Sequence, residues 1–401
     1  MTIPRSILPM TLAVACLAGA ARAGDWPRFL GPQGDGAAPG TQLKAELSAA
    51  DKAWSVDLPG RGLSGVLVAG GRLFVTCSSG HDQSRLHVVC LDPADGRMLW
   101  HRQFRATGRT MCHEKTSVAA PTPCTDGQRV YALFSSNDLV CLDFEGDLVW
   151  LRGLTLDYPN VSNSLGMASS PVASDGTVVV QVESDSESYA LGIDGETGVN
   201  RWKLDRPKAA NWTSPAVIAP GLVALQSKDG IHAVRVRDGS VAWTYAGGAS
   251  TIPSSCLHRG VLCVPSFGIT ALALDEGDPA REPRQAWRSA QLSPGTASPI
   301  AVAARVFTIS RGDVLTAGAL ENGERLWQLR VQGPFTATPV ADERHVVCVN
   351  EQGLVQLVDV SGDEGVLAGS FELGDEILAS PALVDGAIYL RSNTKLHKLG
   401  R

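Results

Sequence analysis

The segment Asp194-Gly195-Glu196-Thr197-Gly198-Val199-Asn200-Arg201-Trp202 contains the pattern on which the architecture of this chain rests. It joins a turn rich in Asp and Gly to a short strand-like stretch that carries a Trp. Gly is needed in such a turn because tight hairpins require positive φ angles, which other residues adopt at an energetic cost. Related turns at residues 92–96 and 143–146 precede Trp100 and Trp150. The segment is therefore one copy of an internal repeat.

The repeat has a period of 40 to 52 residues, marked by Trp54, Trp100, Trp150, Trp202, Trp243, Trp287 and Trp327. A second landmark keeps this period, since a small residue followed by Pro opens an apolar run at Ala120-Pro121, Ser170-Pro171, Ser214-Pro215, Ser298-Pro299, Thr338-Pro339 and Ser380-Pro381. Each unit contains about four short strands joined by tight turns, which is typical of one β-propeller blade. We interpret the Trp series as structural, with each ring buried between adjacent blades.

The length of the repeat region predicts an all-β, eight-bladed β-propeller of four-stranded blades. From Trp54 to Arg401 the chain accommodates eight units of about 40–50 residues. The last unit, from Ile377 onward, lacks a Trp strand, whereas the strand around Trp54 has no unit before it. Pairing these N-terminal and C-terminal segments completes the last blade and removes an exposed sheet edge. The seventh unit is interpreted as degenerate, with Phe371 near the position expected for Trp.

The first 23 residues predict a secretory signal peptide. Arg5 precedes a mostly apolar stretch at residues 6–20, and Ala21-Arg22-Ala23 is a small-x-small cleavage site. Lipoprotein processing at Cys16 is the alternative. We therefore expect an exported protein, periplasmic or extracellular, without a transmembrane segment. The predicted organisation is a signal peptide at residues 1–23, an N-terminal extension at 24–52 and the propeller at 53–401.

Charge and cysteine usage narrow the choice of partners. The net charge is −6 and no basic run is present, whereas a nucleic-acid-binding protein needs clustered Lys and Arg to neutralise phosphates. We expect a monomer that binds an envelope protein or a polar small molecule. No Cys pair has the C-x-x-C spacing of metal or haem sites, so the cysteines are interpreted as small buried hydrophobes. Cys256 and Cys263 flank a turn at Gly260 and are the best-placed disulfide pair, since export permits disulfides.

The Asp-x-x-Thr-Gly-x-x-x-Trp form at residues 194–202 resembles the repeat named after pyrroloquinoline quinone (PQQ). That repeat occurs in quinoprotein alcohol dehydrogenases and in the outer-membrane assembly lipoprotein family BamB, and the resemblance covers residues 53–401. The segment Asp25-Trp26-Pro27-Arg28-Phe29-Leu30-Gly31-Pro32, with residues 113–117 and 211–215, is similar to exported PQQ-like propellers of planctomycete type. The quinoprotein resemblance implies PQQ with calcium, held against two adjacent Cys residues. This chain has no adjacent Cys pair, so we expect no cofactor.

In a propeller, the loops that enter the innermost strands surround the mouth of the central channel, which is the default ligand site. Three of these loops, at residues 105–117, 152–169 and 206–212, are rich in polar side chains, and the first two are longer than the rest. Long loops usually carry function. The alternative is that they only cap and orient adjacent blades. The candidate ligand-binding residues are Arg109, His113, Glu114, Lys115, Asp157, Tyr158, Asn160, Asn163, Arg206, Asn211 and Trp212.

Signals for metal binding and catalysis are weaker. Glu183 and Asp185 lie on an acidic hairpin, but calcium needs several oxygen ligands around one point, whereas strand alternation arranges side chains in an extended row. No nucleophile elbow, phosphate-binding loop or zinc-protease motif is present, so no catalytic residue is assigned. The sequence predicts an exported, non-enzymatic binding or scaffolding propeller. The alternative is a divergent quinoprotein-type oxidoreductase that uses PQQ.

Overall fold

The computed structural model describes residues 24–162 and 165–400. The predicted signal peptide, the lipoprotein alternative at Cys16 and the candidate Asn163 lie outside the described residues. The described chain forms eight four-stranded antiparallel sheets, and the innermost strands of neighbouring sheets contact one another around a ring. This confirms the eight-bladed β-propeller. No helix in the described part of the chain is long and apolar enough to cross a membrane.

The strands follow chain order from the channel outward in seven blades, and the eighth blade takes its outermost strand from the N-terminal side. Strand β1 (Lys52–Asp57) belongs to that eighth blade. Blades 1 to 4 contain, in order, β2 (Leu67–Ala69), β3 (Arg72–Ser79), β4 (Arg85–Leu91) and β5 (Met98–Arg105); β6 (Cys124–Thr125), β7 (Arg129–Leu133), β8 (Asp138–Asp143) and β9 (Leu148–Gly153); β10 (Val172–Ser174), β11 (Thr177–Val182), β12 (Tyr189–Asp194) and β13 (Asn200–Asp205); and β14 (Ala216–Ala219), β15 (Leu222–Ser227), β16 (Gly230–Arg235) and β17 (Val241–Tyr245).

Blades 5 to 8 contain β18 (Cys256–His258), β19 (Val261–Ser266), β20 (Gly268–Ala273) and β21 (Arg284–Ser289); β22 (Ile300–Val302), β23 (Arg305–Ile309), β24 (Val314–Ala319) and β25 (Arg325–Arg330); β26 (Val340–Ala341), β27 (His345–Val349), β28 (Leu354–Asp359) and β29 (Val366–Glu372); and β30 (Ala382–Val384), β31 (Ala387–Arg391) and β32 (Lys395–Leu399), with β1 added outside β32. One short α-helix, α1 (Leu154–Asp157), and two short 3₁₀ segments (Ala49–Asp51 and His81–Gln83) lie between strands.

The two chain ends meet in the eighth blade, as the repeat pattern predicts. Strand β1 pairs antiparallel with β32, and Trp54 lies opposite Lys398. Because β1 covers the outer side of β32, the sheet of the last blade is completed by residues from both ends of the chain. This pairing confirms the predicted closure.

Each periodic Trp lies on the outermost strand of its blade and packs on the turn of the next blade. The Trp202 indole N–H donates to the carbonyl oxygen of Val236 at 2.8 Å, and its ring covers Gly239. Gly239 has a φ of 74°, and a Cβ there would lie 2.7 Å from the Trp202 ring. Trp150 covers Gly198 in the same way. The turn glycine is therefore required both by its positive φ and by the close approach of the ring.

Blade 7 lacks the Trp found in the other blades, as expected of a degenerate unit. In β29 the register position of the Trp belongs to Gly369, which pairs with Leu357 as Trp327 pairs with Ala317 in blade 6. Phe371, which the sequence places near the expected Trp position, lies two residues further along the strand. The backbone of Leu47 passes over Gly369, whose Cβ would lie 3.4 Å from the Leu47 carbonyl oxygen. The N-terminal extension thus fills the place of the missing ring.

The same extension closes one end of the central channel. Trp26 exchanges two backbone hydrogen bonds with Val68 in blade 1, at 2.7 and 3.1 Å. Further along, the carbonyl oxygens of Pro27, Gly34 and Asp35 accept N–H groups from blades 2, 5 and 6, and Ala38 donates to blade 7. Residues 26–38 therefore run across the ring of innermost strands, on the side of the turns that join first and second strands.

Candidate functional site

The opposite face of the propeller opens into a cavity of about 320 Å³ at the centre of the ring. Loops that enter the innermost strands line its mouth, and Phe29 of the N-terminal extension contributes to its wall. Apolar side chains, including Leu63, Ile252 and Leu378, also line the wall. The cavity is therefore a pocket closed by the chain's own N-terminal segment.

A ring of hydroxyl groups surrounds this cavity. One residue from each of blades 2 to 8 supplies a side-chain hydroxyl that accepts the backbone N–H of the corresponding residue in the preceding blade, at 2.8–3.0 Å. The hydroxyl residues are Thr122, Ser170, Ser214, Ser254, Ser298, Thr338 and Ser380, and all of them line the cavity. Blade 1 contributes Gly65 at this position.

The hydroxyl ring was missed by sequence reasoning, although its signal was present. The repeated small residue before Pro was read only as the start of an apolar run, and in the structure it is the hydroxyl-bearing ring position. In blade 2 the ring residue is Thr122, followed by Pro123, so the assignment of that landmark to Ala120-Pro121 is corrected by two residues. The bonds join residues about one repeat apart, which a single repeat viewed alone does not reveal.

Three of the candidate ligand-binding residues line the cavity: His113, Lys115 and Trp212. The Trp212 indole N–H donates to the carbonyl oxygen of Gly166 at 2.8 Å, which fixes the ring against the neighbouring loop. The Lys115 ammonium lies 2.9 Å from the Glu351 carboxylate, which belongs to the hairpin between β27 and β28 of blade 7. This hydrogen-bonded carboxylate raises the pKa of Lys115. The pair links blades on two sides of the mouth.

Two further candidates, Arg206 and Asn211, form a buried network with Glu183 between blades 3 and 4. The Arg206 Nε lies 2.7 Å from one Glu183 carboxylate oxygen, and the Asn211 amide donates to the other at 2.8 Å. Burial raises the pKa of Glu183, while Arg206 and Asn211 act in the opposite direction. His232 approaches the Arg206 guanidinium at 2.9 Å. These side chains hold the loop that carries Trp212 and do not line the cavity.

This network also corrects the proposed metal role of Glu183 and Asp185. Both carboxylate oxygens of Glu183 are engaged by Arg206 and Asn211, and exposed Asp185 accepts the backbone N–H of Ala210 at 3.2 Å. Within residues 24–162 and 165–400, no three His, Cys, Asp or Glu side chains converge as a metal site. Glu183 is therefore a structural partner of Arg206, because its charge is compensated within the protein.

The remaining candidates brace the loops beside the cavity. Their contacts join neighbouring segments: Arg109 with Ser162, the Glu114 carbonyl oxygen with Arg61, Asp157 with Arg152, Tyr158 with Asn200, and the Asn160 carbonyl oxygen with Ser186. Tyr158 also packs against Tyr189, with ring centroids 4.5 Å apart. None of the five belongs to the cavity lining in the described part of the chain. Their arrangement corresponds to the capping alternative.

Cys256 and Cys263 are directly opposite each other on β18 and β19. Both are buried, and each of the eight cysteines in the described residues is a free thiol. The sequence thus identified two neighbouring thiols, and the disulfide between them stays a prediction.

The cavity lining does not fit PQQ bound with calcium. Calcium takes six to eight oxygen ligands, with carboxylates prominent among them. The described lining residues supply hydroxyls, apolar side chains, His113 and Lys115, but no carboxylate. The sequence also has no adjacent Cys pair. Nothing in this lining therefore corresponds to the donor set that the quinoprotein resemblance implies.

Large apolar side chains are exposed around the cavity mouth. They come from the loops entering blades 2, 3 and 5 and from the outward hairpin between β19 and β20: Met111, Leu156, Leu165, Ile252 and Phe267. Phe267 is the most exposed of them, at 85%. Exposed apolar groups that cluster on one face commonly mark an interaction site.

The family of the chain follows from comparison with known proteins. A family model described as outer membrane protein assembly factor BamB matches residues 87–259 and 272–398. The chain belongs to this family. Its repeats are PQQ-like, as the Asp-Gly turn and Trp pattern indicates.

The similarity to individual relatives is partial. The outer membrane protein assembly factor BamB of Escherichia coli (strain K12) is 30% identical over 190 residues, which cover 46% of this chain and 43% of that protein. The protein of the same name from Xanthomonas campestris pv. campestris is 27% identical over 219 residues, covering 53% and 49%. The matched region thus spans about half the length of these relatives or less.

Solved structures share the fold over most of the chain. BamB from Moraxella catarrhalis superposes with a TM-score of 0.66 at 16% identity, covering 87% of this chain and 97% of that one. Quinohemoprotein alcohol dehydrogenase from Comamonas testosteroni superposes with a TM-score of 0.71 at 15% identity, covering 95% and 82%. At these identities the likeness establishes the propeller fold alone.

Proposed function

We propose that this chain is a non-enzymatic binding scaffold that receives a segment of an envelope protein at the cavity face. The observation that carries the proposal is the central cavity itself, with its apolar wall and the exposed apolar groups around its mouth. A partner segment that covers Phe267 and Ile252 gains the free energy of removing apolar surface from water. The proposal includes a monomer in the periplasm or an equivalent exported compartment.

The relatives support a protein partner over a small-molecule substrate. Proteins of this family carry the name of an outer membrane protein assembly factor, and assembly requires contacts with other proteins. Because the sequence match covers less than half of the Escherichia coli relative, its specific partner is not transferred to this chain. The signal peptide predicted at residues 1–23 agrees with the proposed location.

Capture of envelope proteins by surface variants tests the proposal. We expect Phe267→Ser combined with Ile252→Ser to lose most of the partner that the unmodified protein captures, with an unchanged melting temperature. The matched control is Val199→Ser combined with Val241→Ser, which removes exposed apolar groups just before β13 and at the start of β17 and leaves the cavity face intact. A triple variant of His113, Lys115 and Asn163 tests the polar candidates predicted from the sequence. Equal capture by all variants would contradict the proposed face.

A second measurement tests the absence of quinone chemistry. Purified protein is incubated with PQQ and Ca²⁺, and its absorbance is recorded after removal of unbound cofactor. We expect no stoichiometric chromophore, because the described lining lacks carboxylates. A retained chromophore with dye-linked turnover would favour the oxidoreductase alternative.

A further inference from the structure

The hydroxyl ring is interrupted at one position, Gly65 of blade 1. In the seven complete steps, the N–H of one blade meets the hydroxyl of the next blade. The eighth step would join the Ser380 N–H to a side chain at residue 65, where glycine has no hydroxyl. Within residues 24–162 and 165–400, no hydrogen-bond acceptor for the Ser380 N–H is found. The gap therefore leaves one N–H donor without a protein partner.

The gap has room for a single oxygen atom. A second, smaller cavity of about 10 Å³ borders Gly65, Thr122 and Ser380, between the ring and the extension residues Trp26 and Phe29. A space of roughly 10–15 Å³ is the least that holds one water-sized group. Ser380 is partly buried, and an acceptor that reaches its N–H would give this donor a hydrogen bond. Both the space and the unpaired donor favour an acceptor atom at this point.

The chemistry of the surrounding wall indicates what carries that atom. Each ring hydroxyl accepts one N–H and retains its own hydrogen for donation. The described lining contains no carboxylate, so it offers hydroxyl hydrogens for donation but no anionic oxygen to accept them. Leu63, Leu378 and Phe29 add an apolar surface next to the gap. An apolar group that bears a carbonyl or carboxylate oxygen complements this wall.

We propose that the break at Gly65 is a binding subsite for an acceptor oxygen of a ligand with an apolar body. The oxygen takes the place of the missing hydroxyl and accepts the Ser380 N–H, while the apolar body lies against Phe29, Leu63 and Leu378. This inference rests on the proposed function, since a partner protein would supply the group from a side-chain amide or a chain end. A free amide or carboxylate has the same chemistry.

Substitution of Gly65 tests the gap itself. Residue 65 does not have the positive φ that excludes other residues, and a Cβ would lie 3.0 Å from the Thr122 hydroxyl and 3.4 Å from the Ser380 carbonyl oxygen. We expect Gly65→Ser to complete the ring and to melt at least about 2 °C above Gly65→Ala, the matched control with a methyl group but no hydroxyl. Equal melting temperatures would show that Ser380 needs no acceptor and would overturn the proposal.

Small probes of equal apolar body test the ligand chemistry. Phenylacetamide and phenylacetate carry an acceptor oxygen, whereas phenethylammonium carries only donors, and binding is followed by ligand-observed NMR. We expect millimolar binding of the first two, weak or no binding of phenethylammonium, and at least tenfold weaker binding of both acceptors to Gly65→Ser. Thr296→Ala, a lining change elsewhere, serves as the control and keeps the binding. Equal binding of all three probes, or unchanged binding to Gly65→Ser, would overturn the subsite.

Two further arms separate the alternatives. N-acetyl-glycyl-phenylalanine presents the acceptor on a peptide end, and tighter binding than phenylacetate supports a protein source, whereas weaker binding supports a free small molecule. If Gly65→Ser melts higher but no acceptor probe binds, the gap holds only water and the ligand proposal fails. Loss of partner capture on Phe267→Ser without any probe binding would leave the proposed function standing while the subsite falls. Probe binding together with unchanged partner capture by Phe267→Ser would retain the subsite and reject the proposed partner face.

Discussion

Arg206 and Glu183 are charged residues with almost no exposure to solvent, and they form an ion pair at the junction of blades 3 and 4. Removing two charges from water is costly, and the pair is tolerated because each partner is also hydrogen-bonded. Asn211 bonds the second Glu183 oxygen and a backbone carbonyl. The residue next in sequence, Trp212, lines the cavity. The buried pair therefore positions a residue of the cavity wall through Asn211.

Arg206→Met is therefore expected to destabilise the protein by about 3–5 kcal/mol, because it leaves the Glu183 carboxylate buried without its cation. Urea unfolding measures the change. The double variant Arg206→Met with Glu183→Gln should recover much of the loss, because no unpaired charge remains. A double variant as unstable as the single one would show that packing of the Arg206 side chain, and not charge, stabilises the junction.

His87 gives the molecule a pH dependence that follows from its burial. Its imidazole meets the Ser79 hydroxyl and His101, each at 2.8 Å. Burial, followed by the charges of His101 and Arg85, lowers the pKa of His87 to about 4. Burial also lowers the pKa of His397 to about 4. Between pH 6.5 and about 4 the unfolded chain therefore binds more protons than the folded one, so stability falls as the pH falls.

We expect the melting temperature to decrease from pH 7 to pH 4.5, and His87→Gln to show a smaller decrease. Glutamine keeps a hydrogen-bonding side chain but does not titrate. Thermal unfolding at a series of pH values and constant ionic strength checks the prediction. Asp194 differs from His87 in the pH range over which it affects stability. The pKa of Asp194 is lowered to about 2, chiefly by Arg201 and Thr197 against opposing burial. Its stabilising contribution is therefore lost only below about pH 4. Equal pH profiles for the two proteins would rule out His87 as the titrating group.

At the scale of elements, each blade is completed by contacts that its own sequence does not contain. Trp202 of β13 needs the turn glycine of blade 4, and β29 needs the extension residue Leu47 in place of a ring. Each repeat can therefore be recognised from its own sequence, but its outermost strand packs on residues from another part of the chain. Blade 7 shows that another part of the chain can occupy the Trp position.

Gly369→Trp restores the residue found at this register position in the other blades and is nevertheless expected to be destabilising. The new ring would have to displace the Leu47 segment, which is packed into the hydrophobic core. The measurement is the melting temperature, and Phe371→Trp, two residues along the same strand, is the control that we expect to be tolerated. A rise in melting temperature for Gly369→Trp would show that the extension is a poor substitute for the ring.

The pair Cys256 and Cys263 is expected to form a cross-strand disulfide when the protein is prepared under oxidising conditions, because the two residues are register partners. Thiol titration in denaturant should then detect two fewer thiols than under reducing conditions. Cys256→Ala should abolish that difference. An unchanged thiol count in the oxidised protein would show that the pair stays reduced.

At the scale of the whole molecule, the N-terminal region closes the propeller in two ways. Strand β1 completes the last sheet, and residues 26–38 close one end of the channel. An uncovered β32 would present a free edge, and free edges promote association between chains. The N-terminal extension is therefore part of the fold and also shapes the cavity.

Two truncations separate these roles. A chain beginning after residue 57 loses β1 and is expected to associate, as seen by size-exclusion chromatography with light scattering. A chain beginning at residue 39 keeps β1 and Leu47, so we expect it to remain unassociated but to melt at a lower temperature. If both truncated chains associate to the same extent, residues 26–38 and not the sheet edge control the association.

The sequence by itself determined the blade, the number of blades and the closure, because Trp spacing and Asp-Gly turns are local signals that repeat. It also placed His113, Lys115 and Trp212 beside the channel, where they line the cavity, since loops entering the innermost strands must surround the channel. The tertiary structure alone decided the rest. Ala38 contacts Ala341 and Lys115 contacts Glu351 across long sequence separations. Such pairings depend on how the blades are placed around the ring, which no local pattern encodes.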